Sequence, residues 1–273
     1  RRVILKETSL PKMIEKNSDF YNKKPHYLPF DCQISEIWTL FHHNIKCVPL
    51  VDNDMNVVDF STSSRVRKFP ILQPDIGDEE INNLLECANT GWISSQGRFI
   101  KEFEVDFSGY LNGGHAVAVS SGTAALQLGM LALGIGANDE VIVPNFTFGA
   151  SINAIIHVGA IPVLVDVDPE TWTLSLKAIE AAINKNTKAI MPVHLYGQSA
   201  HIDEINKIAK NNNLHIVEDC AEALGGTYKK RLIGRDGDAT CFSFFANKLI
   251  TTGEGGMVVF KDKKTADKAK IMR

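Results

Sequence analysis

Beyond residue 71, short apolar runs alternate with stretches in which apolar residues recur every three or four positions. The apolar runs predict buried strands, and the spaced stretches predict helices with one buried face. The predicted strands cover residues 115–120, 140–146, 161–167, 188–195, 214–219, 240–245 and 257–260, and the helices between them include 123–133, 174–183 and 202–211. Strands that alternate with helices favour a mainly parallel sheet sandwiched by helices, which places the fold in the α/β class.

The chain before residue 71 has a different pattern, in which prolines and Asn/Asp pairs interrupt short apolar runs. Residues 47–52 and 57–58 predict two short strands around a polar turn. Residues 63–70 are mostly polar and basic, as expected of a linker. We therefore predict a small module at 1–62, a linker at 63–70 and one large domain at 71–273.

Composition narrows the range of partners. The 273 residues are 44% hydrophobic and 22% charged, as in an ordinary globular protein, and the net charge is −3. That charge gives no support for nucleic acid or an anionic membrane as a partner. The most apolar stretch, 116–133, contains several polar residues, so we interpret it as a buried strand and helix and not as a membrane span.

The cysteines indicate the cellular compartment, and the chain ends indicate whether the sequence is complete. The 5 cysteines are scattered without a CxxC spacing, which favours free thiols in the cytoplasm and gives no support for a metal site. The chain opens with Arg1 instead of methionine, carries no signal-peptide pattern and ends within a helix predicted at 265–272. We therefore expect it to be a piece of a longer protein.

Lys248 lies where a predicted strand gives way to a Thr/Gly-rich turn at 251–256. Ligands of parallel α/β sheets bind beyond the carboxyl ends of the strands. Partial burial at such an exit lowers the pKa of an amine in general, and a neutral amine forms a Schiff base with an aldehyde. The alternative is a solvated lysine beside a flexible turn.

Other candidate residues also follow predicted strands. Gly122 and Thr123 open a helix whose N–H groups would attract a phosphate, although an ordinary helix N-cap is the alternative. The chain there lacks a Walker lysine and a GxGxxG pattern, so ATP and NAD fit poorly. Asp219 would pair with a protonated ring nitrogen, and Glu222 lies three residues further along. Solvated loop acids or a metal site are the alternatives, but the histidines have no ligand-like spacing with these acids. Phe148 either stacks on a flat heterocycle or packs in the core.

Taken together, these clusters match the needs of one ligand. Pyridoxal phosphate (PLP) needs four groups: an amine for its aldehyde, an acid for its pyridine nitrogen, an anion-binding turn for its phosphate and a ring for stacking. Each signal is weak alone, but the set predicts PLP as the cofactor.

From about Phe69 to its end, the chain resembles the DegT/DnrJ/EryC1/StrS family of sugar aminotransferases, which have the type I fold of PLP enzymes. The resemblance rests on segments 91–97, 121–123, 144–148, 192–197, 218–223 and 243–256, which follow each other in the family's order. It implies the large domain of that fold, with the C-terminal small domain truncated.

The resemblance also implies a role for each candidate residue. Lys248 would hold the cofactor covalently and, with Asp219 at the ring nitrogen, would be catalytic. The other implied cofactor contacts are Glu222 at the phenolic oxygen, Gly122, Thr123 and Ser243 at the phosphate, and Phe148 on the ring. The implied sugar contacts are Trp92, Ser94, Gln96 and His194, although a packed core histidine is an equal alternative for His194.

The activity implied by the resemblance is transfer of an amino group from glutamate to a nucleotide-linked 4-keto-6-deoxy sugar, for surface polysaccharide or another glycan. A cytoplasmic homodimer is expected. Family members with histidine in place of the lysine act as dehydratases, so Lys248 favours transamination over dehydratase or lyase chemistry. A further alternative is a catalytically incomplete fragment with a regulatory or assembly role.

The N-terminal stretch resembles part of a CBS module. Residues 1–5 are similar to the end of one CBS motif, and residues 45–52 to the core strand pair of a second. The usual closing Thr/Ser-x-x-Asp is degraded at 59–62, which disfavours nucleotide binding and favours a packing role. The resemblance therefore predicts a partial CBS-like α+β module at 1–62.

Overall fold

The computed structural model describes residues 26–43, 45, 47–62, 74–94 and 97–273. It divides the chain into two compact units, Arg1–Ile71 and Leu72–Arg273. The predicted linker at 63–70 lies outside the described residues.

The described part of the first unit is a small sheet with one helix. Its elements are β1 (Leu28–Pro29), α1 (Ile34–His42), β2 (Cys47–Val51) and β3 (Val57–Thr62). Strand β2 lies in the centre, parallel to β1 and antiparallel to β3. The carboxylate of Asp52 accepts the N–H groups of Asp54 and Asn56, which fixes the polar turn of the predicted strand pair. The second strand extends through Thr62, further than the sequence pattern indicated.

The second unit contains the remaining described helices and strands. The helices are α2 (Asp78–Thr90), α3 (Arg98–Tyr110), α4 (Gly122–Ala132), α5 (Gly149–His157), α6 (Leu176–Ala182), α7 (Ile202–Asn212) and α8 (Lys263–Met272). The strands are β4 (His115–Val119), β5 (Glu140–Pro144), β6 (Ile161–Val165), β7 (Thr187–Ile190), β8 (His215–Asp219), β9 (Thr227–Tyr228), β10 (Arg231–Leu232), β11 (Ala239–Ser243) and β12 (Gly256–Phe260).

A 7-stranded sheet with the order β4-β12-β11-β8-β7-β5-β6 organises this unit. Its strands run parallel except β12, which is antiparallel to both of its neighbours. The predicted α/β fold with a mainly parallel sheet is confirmed. Because the parallel strands end at one edge, the loops after β4, β5, β7, β8 and β11 meet there, and these loops contain most of the predicted site residues.

The sheet is covered on both faces. Successive residues of β12 alternate between two apolar clusters, with Val258 and Phe260 in one and Met257 and Val259 in the other. The first cluster includes apolar residues of α4, α5 and α8, and the second includes Phe107 of α3. This alternation is the two-residue period of a strand that is buried on both sides.

Among the described helices, none combines the length and the apolar character that a membrane crossing requires.

Candidate active site

A cavity of about 420 Å³ lies at the edge where the parallel strands end. The residues predicted to hold a cofactor all line it, namely Gly122, Thr123, Phe148, Asp219, Glu222, Ser243 and Lys248. They lie in the first turn of α4, at the ends of β8 and β11, and in the loops after β5, β8 and β11, far apart in the sequence. Tertiary folding therefore brings the predicted amine, acids, aromatic ring and helix terminus around one space.

Lys248 lies in the loop between β11 and β12 with its side chain only 21% exposed. Its backbone N–H donates to the carbonyl of Phe245, and Thr251 and Thr252 both donate to the carbonyl of Phe244. These bonds hold the loop as a compact turn. The side chain is partly buried beside the cavity, which disfavours the alternative of a solvated lysine.

Asp219 ends β8 and is only 5% exposed. Its carboxylate accepts the hydroxyl of Ser151 at 2.7 Å and the N–H of Ala221 at 3.1 Å, both of which are neutral donors. Burial raises the pKa of Asp219, although these two hydrogen bonds oppose the shift. A cation that entered the cavity would supply the charge that these neutral donors do not. The alternative of a solvated loop acid is wrong for Asp219.

The carboxylate of Glu222 lies between the backbone N–H of Tyr196 and the amine of Lys248. One carboxylate oxygen accepts the N–H of Tyr196 at 3.1 Å, and the other lies 3.8 Å from Nζ of Lys248. Tyr196 has a φ of 51°, a left-handed conformation that costs energy for a bulky residue. The strained turn therefore aims its N–H at Glu222. Neither Tyr196 nor Ser151 had a predicted role, although Tyr196 lies in segment 192–197, which carries part of the resemblance.

The first turn of α4 forms an anion-binding corner of the cavity. Ser121 is the N-cap, and its hydroxyl accepts the N–H of Ala124 at 3.1 Å. The N–H groups of Gly122 and Thr123 belong to the first turn, where an α-helix offers no internal acceptor. Ser121 is thus an ordinary cap, and the helix terminus still presents two donors beside the Ser243 hydroxyl.

Gly122 has little space for a side chain. A β-carbon there would lie 2.8 Å from Cβ of Ser243 and 3.2 Å from its hydroxyl. We expect Gly122→Ala to lower the free energy of unfolding by about 1–3 kcal/mol through overpacking. Urea unfolding measures the change. Gly109→Ala is the control, since no atom lies within 4 Å of a β-carbon there. A Gly122→Ala protein with the same free energy of unfolding as the parent would contradict the expected crowding.

Phe148 is 76% exposed and lines the cavity. The core alternative for this residue is wrong, because its ring faces open space. An exposed ring beside a cavity is available to stack on a flat ligand.

His194 is buried beneath the cavity and does not line it. Its Nδ1 accepts the N–H of Ala200, so Nε2 carries the proton and donates to Glu218 at 2.9 Å. Glu218 also accepts the N–H groups of Asp236 and Gly237. These contacts support the packed core role for His194, and a contact with the sugar stays a prediction. Glu218 is buried, and the sequence pattern assigned no role to it.

The side chains of His194, Glu218 and Cys220 bring three metal-ligand atoms within 4.8 Å of one another. However, the hydrogen bonds of His194 engage both of its ring nitrogens. Burial also raises the pKa of the Cys220 thiol, which opposes formation of a thiolate ligand. The cluster is therefore better described as a hydrogen-bonded support for the loops around Asp219.

We expect Glu218→Ala to destabilise the fold strongly. The change leaves the N–H groups of His194, Asp236 and Gly237 without their acceptor in a buried setting. Removing one partner from a buried pair of this kind costs about 3 kcal/mol or more of unfolding free energy. Urea unfolding beside the exposed Glu180→Ala control tests this, and equal stability of the two variants would contradict it.

The loop after α2 contains the other predicted sugar contacts. Trp92 and Ser94 are exposed there and do not line the cavity, whereas Gln96 lies outside the described residues. Gly91 has a φ of 72° and ends α2 as a left-handed cap, so the chain leaves the helix at this point.

Comparison with known proteins decides the family. The sequence model of the DegT/DnrJ/EryC1/StrS aminotransferase family matches residues 74–273, which is most of the chain and includes the whole cavity. The chain belongs to this family. The resemblance inferred from its sequence segments is confirmed.

Several members of the family are similar in sequence and fold. GDP-perosamine synthase from Caulobacter vibrioides is 49% identical over 210 residues, which are 77% of this chain and 57% of that protein. The aminotransferase from Psychrobacter cryohalolentis has a TM-score of 0.70 and 37% identity, over 73% of this chain and 51% of that one. NtdA from Bacillus subtilis, solved with bound cofactor PMP, has a TM-score of 0.68 and 35% identity, over 74% of this chain and 47% of that one.

The chain spans only about half the length of these relatives. The match covers the unit with the cavity, and the family model begins after the first unit of the chain. Like its relatives, this unit therefore has the mainly parallel α/β fold of PLP-dependent sugar aminotransferases.

Proposed function

We propose that this chain carries the cofactor-binding part of a PLP-dependent aminotransferase that acts on a nucleotide-linked 4-keto-6-deoxy sugar. The observation that carries the proposal is the single cavity around Lys248, Asp219, Glu222 and the first turn of α4. An amine, a buried acid and an anion-binding helix terminus are the three groups that PLP requires.

The residues of the cavity fit PLP in charge and in hydrogen-bonding groups. Asp219 is a buried acid with only neutral donors, which suits a protonated ring nitrogen as its partner. Gly122, Thr123 and Ser243 would hold the phosphate, and Phe148 would cover one face of the ring. Glu222, fixed by the Tyr196 N–H, would face the phenolic oxygen.

Each residue then has a task in the proposed reaction. The bound cofactor supplies an electron sink for carbanion charge. Lys248 would attach it covalently, leave when an amine substrate takes its place, and then carry a proton to or from the substrate carbon. Asp219 would keep the ring nitrogen charged. Glu222 lies within reach of the Lys248 amine, so it would orient that amine before and after each proton transfer.

The substrates proposed are glutamate as amino donor and a sugar nucleotide as acceptor. The 49% identity to GDP-perosamine synthase of Caulobacter vibrioides supports an amino sugar product, for surface polysaccharide or another glycan. A Bacillus subtilis relative at 46% identity, named spore coat polysaccharide biosynthesis protein SpsC, also supports a role in polysaccharide synthesis. Dehydratase or lyase chemistry is the second candidate, and the lysine at position 248 favours amino transfer.

Reductive trapping tests the proposed cofactor site. The protein is incubated with PLP, reduced with borohydride, digested and mapped by mass spectrometry. The cofactor mass is expected on the peptide that contains Lys248, and its absence from the Lys248→Arg protein is the control. Labelling of another peptide, or of none, would overturn the proposal.

Product analysis tests the proposed reaction separately. GDP-linked and dTDP-linked 4-keto-6-deoxyhexoses are incubated with glutamate, and the products are searched for an amino sugar. A dehydrated sugar without nitrogen would favour the second candidate. Cofactor trapping without any turnover would favour the fragment alternative, in which this chain has an assembly role.

A homodimer in the cytoplasm is also part of the proposal. Tyr196 and Leu249 are exposed and line an adjoining cavity of about 390 Å³ that shares Glu222 and Lys248 with the first. Exposed apolar residues beside a site are typical of a surface that another subunit covers. The 5 cysteines are thiols, which suits a reducing compartment. Analytical ultracentrifugation tests the dimer.

For the N-terminal region we propose a partial CBS-like module over 1–62 with a packing role, a linker at 63–70, and the aminotransferase domain from 71 to 273. The three-stranded sheet with its helix is a small α+β arrangement that suits this proposal. Residues 1–5, which carry part of the resemblance, lie outside the described residues.

A further inference from the structure

Two aromatic side chains lie exposed in the loops that follow β5 and β6. Phe146 is 44% exposed and Trp172 is 53% exposed, and their rings meet edge to face at 5.8 Å with an angle of 89°. We call this pair the aromatic ledge. Edge-to-face contact uses one edge of a ring and leaves a face of the pair open, so the ledge offers a flat apolar surface.

The loop that carries Trp172 is built to hold it there. Trp172 has a φ of 59°, a left-handed conformation that is unfavourable for a bulky residue. The carboxylate of Asp168 accepts the N–H groups of Glu170 and Thr171, and the N–H of Trp172 donates to the carbonyl of Asp168 at 2.8 Å. Backbone strain of this kind persists only where surrounding bonds enforce it, and it concentrates at ligand sites.

The ledge lies on the same edge of the sheet as the cavity. Strands β5 and β6 are parallel neighbours, so the loops that follow them, with Phe146 and Trp172, both leave at the carboxyl end. Phe146 precedes Thr147 and Phe148, which line the cavity itself. A ligand that begins in the cavity and extends along this edge towards β6 therefore meets the ledge.

The charges around the ledge indicate which part of a ligand fits it. Asp166 and Asp168 lie in the loop that carries Trp172, and Asp166 accepts the side-chain amide of Asn145. Carboxylates repel a phosphate but accept N–H groups. A flat ring with N–H donors is thus favoured over the phosphates of the same molecule.

We propose that Trp172 stacks on the nucleobase of the nucleotide-linked substrate, with Phe146 supporting its ring. The inference rests on the proposed function, since it assigns a surface to the base of that substrate. Stacking accepts any base because every base has a flat face, so the ledge contributes affinity more than choice between bases.

Calorimetric titration with GDP and with dTDP tests the proposal, with pyrophosphate as the ligand that lacks a base. Trp172→Asn removes the ring, and asparagine tolerates the left-handed backbone, so the fold keeps its stability. We expect its Kd for the nucleotides to rise about tenfold, with the Kd for pyrophosphate unchanged. Trp172→Phe keeps an aromatic ring and is expected to retain most of the affinity.

The matched control is Trp38→Ala, because Trp38 is also exposed and also meets a phenylalanine edge to face, at 5.8 Å and 85°. It is expected to bind both nucleotides as the parent does. Unchanged nucleotide binding by Trp172→Asn would overturn the proposal, as would an equal loss of pyrophosphate binding. A change in oligomeric mass without a change in Kd would also overturn it, by assigning the ledge to a subunit contact. Because binding needs no turnover, failure here leaves the Lys248 trapping result untouched.

Discussion

Replacing Lys248 with alanine is expected to lower kcat for amino transfer by about 1,000-fold or more. The change removes both the amine that would attach the cofactor and the base that would move the proton, and each contributes to the barrier. Stopped assays with glutamate and a keto sugar nucleotide measure the rate. The fold is expected to keep its stability, because the 3.8 Å contact between Lys248 and Glu222 is a partly exposed ion pair.

Two controls make this result specific. Added methylamine is expected to restore part of the rate of Lys248→Ala, because a small amine can enter the space left by the side chain. Lys248→Arg keeps the charge but offers no amine that condenses with an aldehyde, and it is expected to stay inactive. An active arginine variant would show that charge alone matters and would refute the role proposed for Lys248.

Asp219→Asn is expected to have opposite effects on activity and on stability. Without the negative charge, the ring nitrogen of the cofactor loses its partner, and kcat is expected to fall roughly 100- to 1,000-fold. In the absence of cofactor, the same variant is expected to be more stable than the parent at neutral pH. The reason is that a buried carboxylate with only neutral donors is costly, whereas an amide of the same shape is not.

The pH dependence of unfolding separates these effects. Burial raises the pKa of Asp219 in the folded chain, so its contribution to stability is fully present below about pH 4 and is lost as pH rises through the folded value. Asparagine does not titrate. The stability gain of Asp219→Asn should therefore vanish near pH 4 and grow towards neutral pH.

Ser151→Ala is the matched comparison for this effect. It removes one hydrogen bond to the carboxylate, at 2.7 Å, but leaves the charge in place. It is expected to destabilise the cofactor-free protein at neutral pH, where Asp219→Asn stabilises it. Urea unfolding at both pH values measures the two variants, and a loss of stability in Asp219→Asn at neutral pH would contradict the prediction.

The strands were predictable because burial on both faces leaves a continuous apolar run. All strands of the large sheet were expected from such runs, although β7 ends at Ile190 and not at 195. Pro192 explains the difference, since it has no N–H to donate and the regular pairing ends before it. Helix α5 was not among the predicted helices. Its buried face includes the polar Ser151, which donates to Asp219, so the apolar spacing is interrupted.

The sequence by itself determined the α/β class, the family and the seven cofactor-site candidates that line the cavity, because strand ends and their polar loops are local features. Only the tertiary structure decided that His194 is buried against Glu218, that Phe148 is exposed, and that Tyr196 presents its N–H to Glu222. Those outcomes depend on which loops meet at the sheet edge. The packing of the strands sets the distances between these side chains and their burial, and neither can be derived from the spacing of residues along the chain.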